Sequence, residues 1–173
     1  RDAVTAGPAA TWSAARALRF AARGRTLPVH DDWVYDVLTS GDGQWVVTTG
    51  ADRKAHVWNA RTGELHATLV GHEGSIFQAS LSRDERELAT SSYDGTVRLW
   101  SFPDGKPRRT FDHPSDRVYG LCHAADGTLL SAGAGGVLAF VDAASGELVE
   151  RLDDVTGIPW RLSCAREAPL AVM

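Results

Sequence analysis

Cysteine is scarce in this sequence, which has only Cys122 and Cys164 and no Cys-x-x-Cys pair. This scarcity excludes the usual zinc-binding and dithiol redox signatures. Both cysteines lie in apolar stretches, where a free thiol behaves as a small hydrophobic group. We therefore expect two reduced, buried thiols and a cytoplasmic protein.

Long apolar runs and an excess of basic residues are also missing. No stretch approaches the roughly 18 apolar residues of a membrane-spanning helix, and no signal-peptide pattern is present. The net charge is −4, which disfavours a broad face for nucleic-acid phosphates. We expect neither membrane insertion nor nucleic-acid binding. Because the chain begins at Arg1 rather than Met, the removal of an upstream segment is left as an open alternative.

What the sequence does contain is a repeat of about 42 residues, the type of period that marks repeat architectures. Four columns of side chains recur at nearly constant spacing. The columns are His30, His72 and His113; Thr48, Thr90 and Ser131; Asp52 and Asp94; and Trp58 and Trp100. Glycine-rich and aspartate-rich turn signals recur at the same spacing, so the whole unit repeats rather than single residues.

Short runs with strand character lie between these turn signals. In the second unit they cover 76–81, 87–91, 96–100 and 107–111, and each contains β-branched or aromatic residues bordered by Gly, Asp or Pro. No window has the apolar spacing of a long amphipathic helix. Four short strands per repeat indicate the blade of a β-propeller, and the fold class is therefore all-β.

Two of the units carry a resemblance to a known family. Gly71-His72 followed by "DGTVRLW" at 94–100 resembles the WD-repeat (WD40) consensus, and His30 with "ADRKAHVWN" at 51–59 is a second good match. The resemblance implies a β-propeller of four-stranded blades. About four blades' worth of chain is present, as three full units and two partial ones.

The expected boundaries follow from the repeat. They are a partial blade at 1–29 (the end of strand b, then strands c and d), WD repeats at 30–71 and 72–112, a degenerate repeat at 113–154, and a partial blade at 155–173 (strands a and b). Propellers close with about four to eight blades. We expect part of a larger propeller, completed by other parts of the parent chain or by self-association, with closure as four blades as the alternative.

The resemblance assigns the repeated polar residues to a buried hydrogen-bonded tetrad in each blade. The sets are His30, Thr48, Asp52 and Trp58; His72, Thr90, Asp94 and Trp100; and the remnant His113 and Ser131. A hydroxyl, a histidine and an aspartate also make up a hydrolase triad, but a catalytic site is normally unique in a domain. We interpret the sets as structural and expect no catalytic residue. We expect no metal or cofactor either, because the three histidines lie one per blade.

One further column predicts a binding surface. An aromatic residue follows the first apolar residue of each innermost strand, and the resemblance places this position and the next at the mouth of the central channel. The predicted partner-binding residues are Tyr35, Asp36, Phe77, Gln78, Tyr93, Tyr119, Trp160 and Arg161. Because aromatic rings dominate interface hot spots, we predict a protein or peptide partner here. Padding of the inner strands by the same rings is an equally weighted alternative.

The sequence thus predicts a non-catalytic scaffold or recognition module. An enzyme that uses a propeller face is one alternative, although Asp36 is the only carboxylate in the two mouth columns. A regulatory domain of a larger multidomain protein, such as a bacterial signalling or defence protein, is the other.

Overall fold

The computed structural model describes residues 30–157 and 160–164, and these residues form three four-stranded antiparallel sheets. Blade 1 contains β1 (Val34–Thr39), β2 (Trp45–Gly50), β3 (Lys54–Asn59) and β4 (Leu65–Val70). Blade 2 contains β5 (Ile76–Leu81), β6 (Glu87–Ser92), β7 (Thr96–Ser101) and β8 (Pro107–Asp112). Blade 3 contains β9 (Val118–His123), β10 (Thr128–Gly133), β11 (Val137–Asp142) and β12 (Leu148–Leu152). The all-β fold with four-stranded propeller blades is confirmed.

Helical structure within residues 30–157 and 160–164 is limited to one 3₁₀ turn, Ala134–Gly136. None of that described part forms a helix with the length and apolar character needed to cross a membrane. The expected partial blade at 1–29 lies outside the described residues, as do residues 165–173 of the partial blade at the other end.

The turn between the first two strands of each blade uses the same side-chain hydrogen bond. In blades 2 and 3, Asp84 and Asp126 each accept the backbone N–H two residues further on, at 3.1 and 2.9 Å between N and Oδ1. The residue after each aspartate has a positive φ, 92° at Gly127 and 56° at Glu85. Glycine adopts this conformation without steric cost, whereas glutamate does not. The turn chemistry thus ends the inner strand at the same place in successive blades.

Burial is high in the second strand of each blade, and in blade 1 the innermost strand β1 is itself largely exposed. The second and third strands are buried along most of their length because neighbouring sheets or loops cover both faces. The outer strands β4, β8 and β12 are largely exposed. Burial on both faces explains why the second strands β2, β6 and β10 read as runs of apolar and small residues rather than as a strict alternation.

Side chains of one inner strand bind the backbone of the next inner strand. Asp36 Oδ2 accepts the N–H of Ala79 at 3.2 Å. One blade further on, Gln78 Oε1 accepts the N–H of Leu121 at 3.0 Å, and Ser80 Oγ accepts the N–H of His123 at 3.0 Å. These bonds satisfy backbone donors that face a neighbouring blade rather than a strand of their own sheet.

Residues 160–164 differ from the expected inner strand, because they have no regular secondary structure. They lie against the inner strands instead. The side-chain amide of Gln78 binds both backbone groups of Leu162. Its Nε2 donates to the Leu162 carbonyl at 2.7 Å, and its Oε1 accepts the Leu162 N–H at 3.1 Å.

The expectation of two free thiols is wrong. Cys122 on β9 and Cys164 form a disulfide that joins residues 42 positions apart, with 5.7 Å between their Cα atoms. Apolar neighbours indicate that a thiol is buried, but they do not indicate which other thiol approaches it. Disulfides are rare in the cytosol, so the cytoplasmic expectation loses the support that free thiols lent it.

Reduction of this disulfide is expected to lower the free energy of unfolding by about 2 kcal/mol, the low end of the usual effect of a native disulfide. The low end applies because the two hydrogen bonds between Gln78 and Leu162 still hold the segment 160–164 after reduction. Urea unfolding with and without reductant measures the difference. The Cys122→Ser/Cys164→Ser double variant should be insensitive to reductant. Alkylation of two thiols in the unfolded, unreduced protein would contradict the bond.

Candidate functional site

The second blade contains a continuous chain of four side chains. The Nε1 of Trp100 donates to Thr90 Oγ1 at 2.9 Å, and Thr90 Oγ1 lies 2.8 Å from His72 Nε2. His72 Nδ1 lies 2.8 Å from Asp94 Oδ2. An indole N–H can only donate, whereas a hydroxyl can both donate and accept. Each group in this chain therefore donates its hydrogen bond to the next one, in the direction from Trp100 to Asp94. His72 is then neutral, with its proton on Nδ1.

The first blade repeats this geometry. Trp58 Nε1 donates to Thr48 Oγ1 at 3.0 Å, His30 Nε2 lies 3.0 Å from the same oxygen, and His30 Nδ1 lies 2.8 Å from Asp52 Oδ1. The side chain of His30 is fully buried, like that of His72. The two predicted tetrads are therefore assembled at equivalent places of two blades.

Asp94 is held as an anion by its surroundings. Burial acts to raise its pKa, but hydrogen bonds from Thr96, from the backbone N–H of Glu73 and from His72 outweigh burial and lower the pKa to about 2. Burial lowers the pKa of His72, and the neighbouring Asp94 offsets this only in part. At neutral pH the pair is therefore a carboxylate that accepts a hydrogen bond from a neutral imidazole.

Thr90 has no access for a substrate. Its side chain belongs to the fully buried part of the core, and Trp100 and His72 occupy the space around its oxygen. A nucleophile must reach the atom it attacks, so this arrangement supports the structural interpretation of the tetrad over the hydrolase alternative.

The third blade does not assemble its remnant set in the same way. His113 Nδ1 contacts the hydroxyl and the backbone N–H of Ser115, at 2.7 and 3.1 Å, in place of a carboxylate. The hydroxyl of Ser131 donates to the Ala139 carbonyl at 3.4 Å. Burial lowers the pKa of His113, and the backbone of Ser131 and Ser115 opposes this only in part. Val141 stands where the other two blades have tryptophan.

A second histidine, His56, adjoins the first tetrad. Nitrogen and oxygen atoms of His30, Asp52 and His56 lie within 4.8 Å of one another, close enough for three ligands of one cation. Both nitrogens of His30 are already within bonding distance of Thr48 and Asp52, and His56 Nδ1 lies 3.1 Å from Thr68 Oγ1. A cation here would have to break the tetrad, so we assign these residues to packing.

Five predicted aromatic residues form one group of touching rings, which we call the aromatic cluster: Tyr35, Phe77, Tyr93, Tyr119 and Trp160. Phe77 lies at its centre, 4.7 Å from Tyr35, 4.7 Å from Tyr93 and 5.3 Å from Tyr119, measured between ring centroids. Tyr119 continues the group to Trp160 at 4.7 Å. Contacts at these distances stabilise the rings mutually.

The aromatic cluster is exposed at its two ends, whereas Phe77 and Tyr93 are partly buried and Tyr119 is buried. Tyr35 is 39% exposed and Trp160 is 61% exposed, whereas Tyr119 is only 5% exposed. Burial, and then the hydrogen bond with Tyr119, raises the pKa of Tyr93, so its ring stays neutral. The cluster therefore offers an amphipathic surface in which the exposed ring of Trp160 packs on the buried ring of Tyr119.

The three polar residues predicted for this surface have other surroundings. Asp36 and Gln78 are buried, and their oxygens accept backbone N–H groups of the neighbouring blade. This corrects their place in the predicted surface, since they join blades rather than face a partner. Arg161 remains 64% exposed, and its Nη1 lies 2.8 Å from Asp36 Oδ1.

Arg117 is a member of the surface that the sequence reasoning missed. Its Cζ lies 4.9 Å from the ring centroid of Tyr93, a distance typical of a cation–π contact. A hydrogen bond with Tyr119, together with the adjacent Tyr93, raises the pKa of Arg117 further above its ordinary value. The repeat offered no signal for it, because the equivalent positions Trp33 and Ser75 share no chemistry with arginine.

Successive four-stranded blades with a buried His–Thr–Asp–Trp tetrad define a WD-repeat protein with the β-propeller type of fold. The family model described as "WD domain, G-beta repeat" matches residues 22–59, 63–101 and 105–140. The chain belongs to this family.

Curated relatives of this chain include WD-repeat proteins of several organisms. A nuclear distribution protein PAC1-1 from Uncinocarpus reesii is 33% identical over 97 residues, covering 44% of this chain and 22% of the relative. Subunit I of eukaryotic translation initiation factor 3 from Neurospora crassa is 30% identical, covering 51% of this chain and 26% of the relative. The tRNA (guanine-N(7)-)-methyltransferase non-catalytic subunit wuho from Drosophila willistoni is 35% identical, covering 54% and 22%. The matched segment thus spans about a quarter of these relatives.

Proposed function

We propose that this chain is a non-catalytic interaction module that binds a protein or peptide at the aromatic cluster. The observation that carries this proposal is the continuous contact of five aromatic rings from three blades and the segment 160–164. The repeat brings rings of three blades together at one place, so a single partner can contact several of them at once.

Rings of the aromatic cluster can contact a partner, because Tyr35 and Trp160 expose much of their area. Large rings with few rotatable bonds contribute contact area at low entropic cost, which is why aromatic residues dominate hot spots. Arg117 on Tyr93 shows that a ring face of this cluster accommodates a cation, so a Lys or Arg of a partner can bind in the same manner.

The names of two relatives support a role in assemblies. One is described as a subunit of an initiation factor and the other as the non-catalytic subunit of a methyltransferase. For this chain, membership of a larger complex or of a longer multidomain protein is part of the proposal. An enzyme is the less supported alternative, since Thr90 is buried and Asp36 is paired with Arg161.

Removal of the exposed rings is expected to abolish most of the binding. Peptides selected from a random displayed library against the whole chain provide the ligands, and calorimetry measures their affinity. Tyr35→Ala and Trp160→Ala should each weaken binding by about 30-fold, the effect of losing a strong hot spot, because both rings stand at the accessible ends of the cluster.

Val149→Ala is the matched control, because this residue is 65% exposed on β12 and lies outside the aromatic cluster. It should bind like the unmodified chain, and all three variants should keep its unfolding temperature within a few degrees. Equal affinity of all variants for the selected peptides would remove the aromatic cluster as the binding surface.

A further inference from the structure

Blade 3 has no tryptophan at the position where blade 2 has Trp100. In blade 2, Trp100 is 1% exposed and packs in one core cluster with Ala55, Leu69 and Leu88. The register of β10 and β11 places Val141 at the position equivalent to Trp100. Valine has no ring, so the corresponding space between blades 2 and 3 is not filled by the residue at that position.

A cavity of about 270 Å³ lies at this place. Its walls include Val97, Phe111 and Leu129, which are the counterparts of Ala55, Leu69 and Leu88 in the alignment of the repeats, together with Val141 itself. The cavity therefore occupies the position that an indole occupies one blade earlier. It opens between the outer strands β8 and β12, where the lining residues Thr110 and Leu148 are exposed.

The polar partner of the missing indole is still present. In blade 2, the indole N–H of Trp100 donates to Thr90 Oγ1. Ser131 is the counterpart of Thr90 and also lines the cavity. Its hydroxyl proton is directed to the Ala139 carbonyl, which leaves the oxygen able to accept a hydrogen bond. The walls of the cavity are thus largely apolar, although Asp112 and His113 also belong to the lining, and Ser131 Oγ is an acceptor for one N–H.

We propose that this cavity binds a small, planar, indole-type heteroaromatic molecule whose ring N–H donates to Ser131 Oγ. An apolar cavity of about 150 Å³ is already large enough to hold benzene, so a space of this size admits a bicyclic ring. The ligand would take the place of the absent tryptophan side chain between two blades. This site shares no residue with the aromatic cluster and does not depend on the function proposed for it.

Titration of the whole chain with indole tests the site. We expect saturable binding in calorimetry and a rise of the unfolding temperature with indole concentration. N-methylindole, which has the same ring system but no N–H, should bind about 5- to 10-fold more weakly because one hydrogen bond is lost. Ser131→Ala should bind both compounds with similar affinity.

Filling the cavity from within the chain provides the decisive control. Val141→Trp should raise the unfolding temperature and abolish indole binding, whereas Val149→Trp, on the exposed face of β12, should leave binding unchanged. If Val141→Trp does not fold, Ala139→Leu narrows the same cavity from β11 and should likewise reduce binding. No saturable binding at millimolar indole, or undiminished binding in the filled variants, overturns the proposal.

Discussion

Trp100→Ala is expected to lower the free energy of unfolding by about 3–5 kcal/mol, the usual cost of removing a large buried aromatic side chain. The indole is almost fully buried between blades 1 and 2, in the same cluster as Val57 and Leu69. Its loss creates a cavity and also removes the donor that binds Thr90 Oγ1. Urea unfolding followed by circular dichroism measures the difference.

The matched control for this prediction is Val141→Ala in blade 3. Val141 is only partly buried and borders an existing cavity, so its truncation should cost about 1 kcal/mol. Trp100→Phe separates packing from hydrogen bonding, because phenylalanine retains a ring but has no N–H; we expect an intermediate loss. Equal losses for Trp100→Ala and Val141→Ala would contradict the assignment of Trp100 to the core between blades.

The second large effect expected is a loss of stability in acid. Asp94 has a pKa of about 2 in the folded protein against an ordinary value of 3.8. Its contribution is therefore fully present above pH 3.8 and disappears as the pH falls through about 2. A shift of this size corresponds to about 2 kcal/mol. The pKa of Asp52 is also lowered, since hydrogen bonds from His30 and Lys54 outweigh the burial that acts to raise it, and it adds in the same direction.

His72 extends this dependence toward higher pH. Burial lowers its folded pKa below the ordinary 6.5, so the folded protein binds a proton less readily than the unfolded chain does. The contribution of neutral His72 is present above pH 6.5 and is lost as the pH falls through the folded pKa. Both ionisable members of the tetrad thus destabilise the fold on acidification.

The Asp94→Asn variant tests how much the charge of the Asp94 carboxylate contributes to stability. At pH 5 the variant should be less stable than the unmodified chain, because asparagine cannot accept the same charge-assisted hydrogen bonds. As the pH falls toward 2, the difference in free energy of unfolding between the two proteins should shrink by about 2 kcal/mol. A difference that stays constant from pH 5 to pH 2 would show that Asp94 is not the group that titrates.

Local patterns allowed the strands to be predicted closely. The expected run at 87–91 corresponds to the strand Glu87–Ser92, and the run at 76–81 coincides with Ile76–Leu81. The reason is that turns of this fold depend on adjacent residues, as in the hydrogen bond from the backbone to Asp84. Repetition at a constant spacing then extends a match in one blade to the others.

The interaction surface could be predicted only in part. The aromatic column follows the repeat, and the structure brings its rings together. The adjacent polar column includes Asp36 and Gln78, but whether a side chain next to an exposed ring points to solvent or to the neighbouring blade depends on how two sheets pack. A single repeat carries no information about that packing. Arg117 was missed for a related reason, because it belongs to no column.

By itself, the sequence determined the all-β repeat with four short strands in each unit, since the strands and their turns depend on residues within one repeat. Tertiary structure alone decided the Cys122–Cys164 bond, the hydrogen bonds of Gln78 across blades and the cavity beside Val141. These features join residues from separate repeats. Their formation depends on distances between packed sheets, and a one-dimensional pattern specifies the sheets but not the spaces between them.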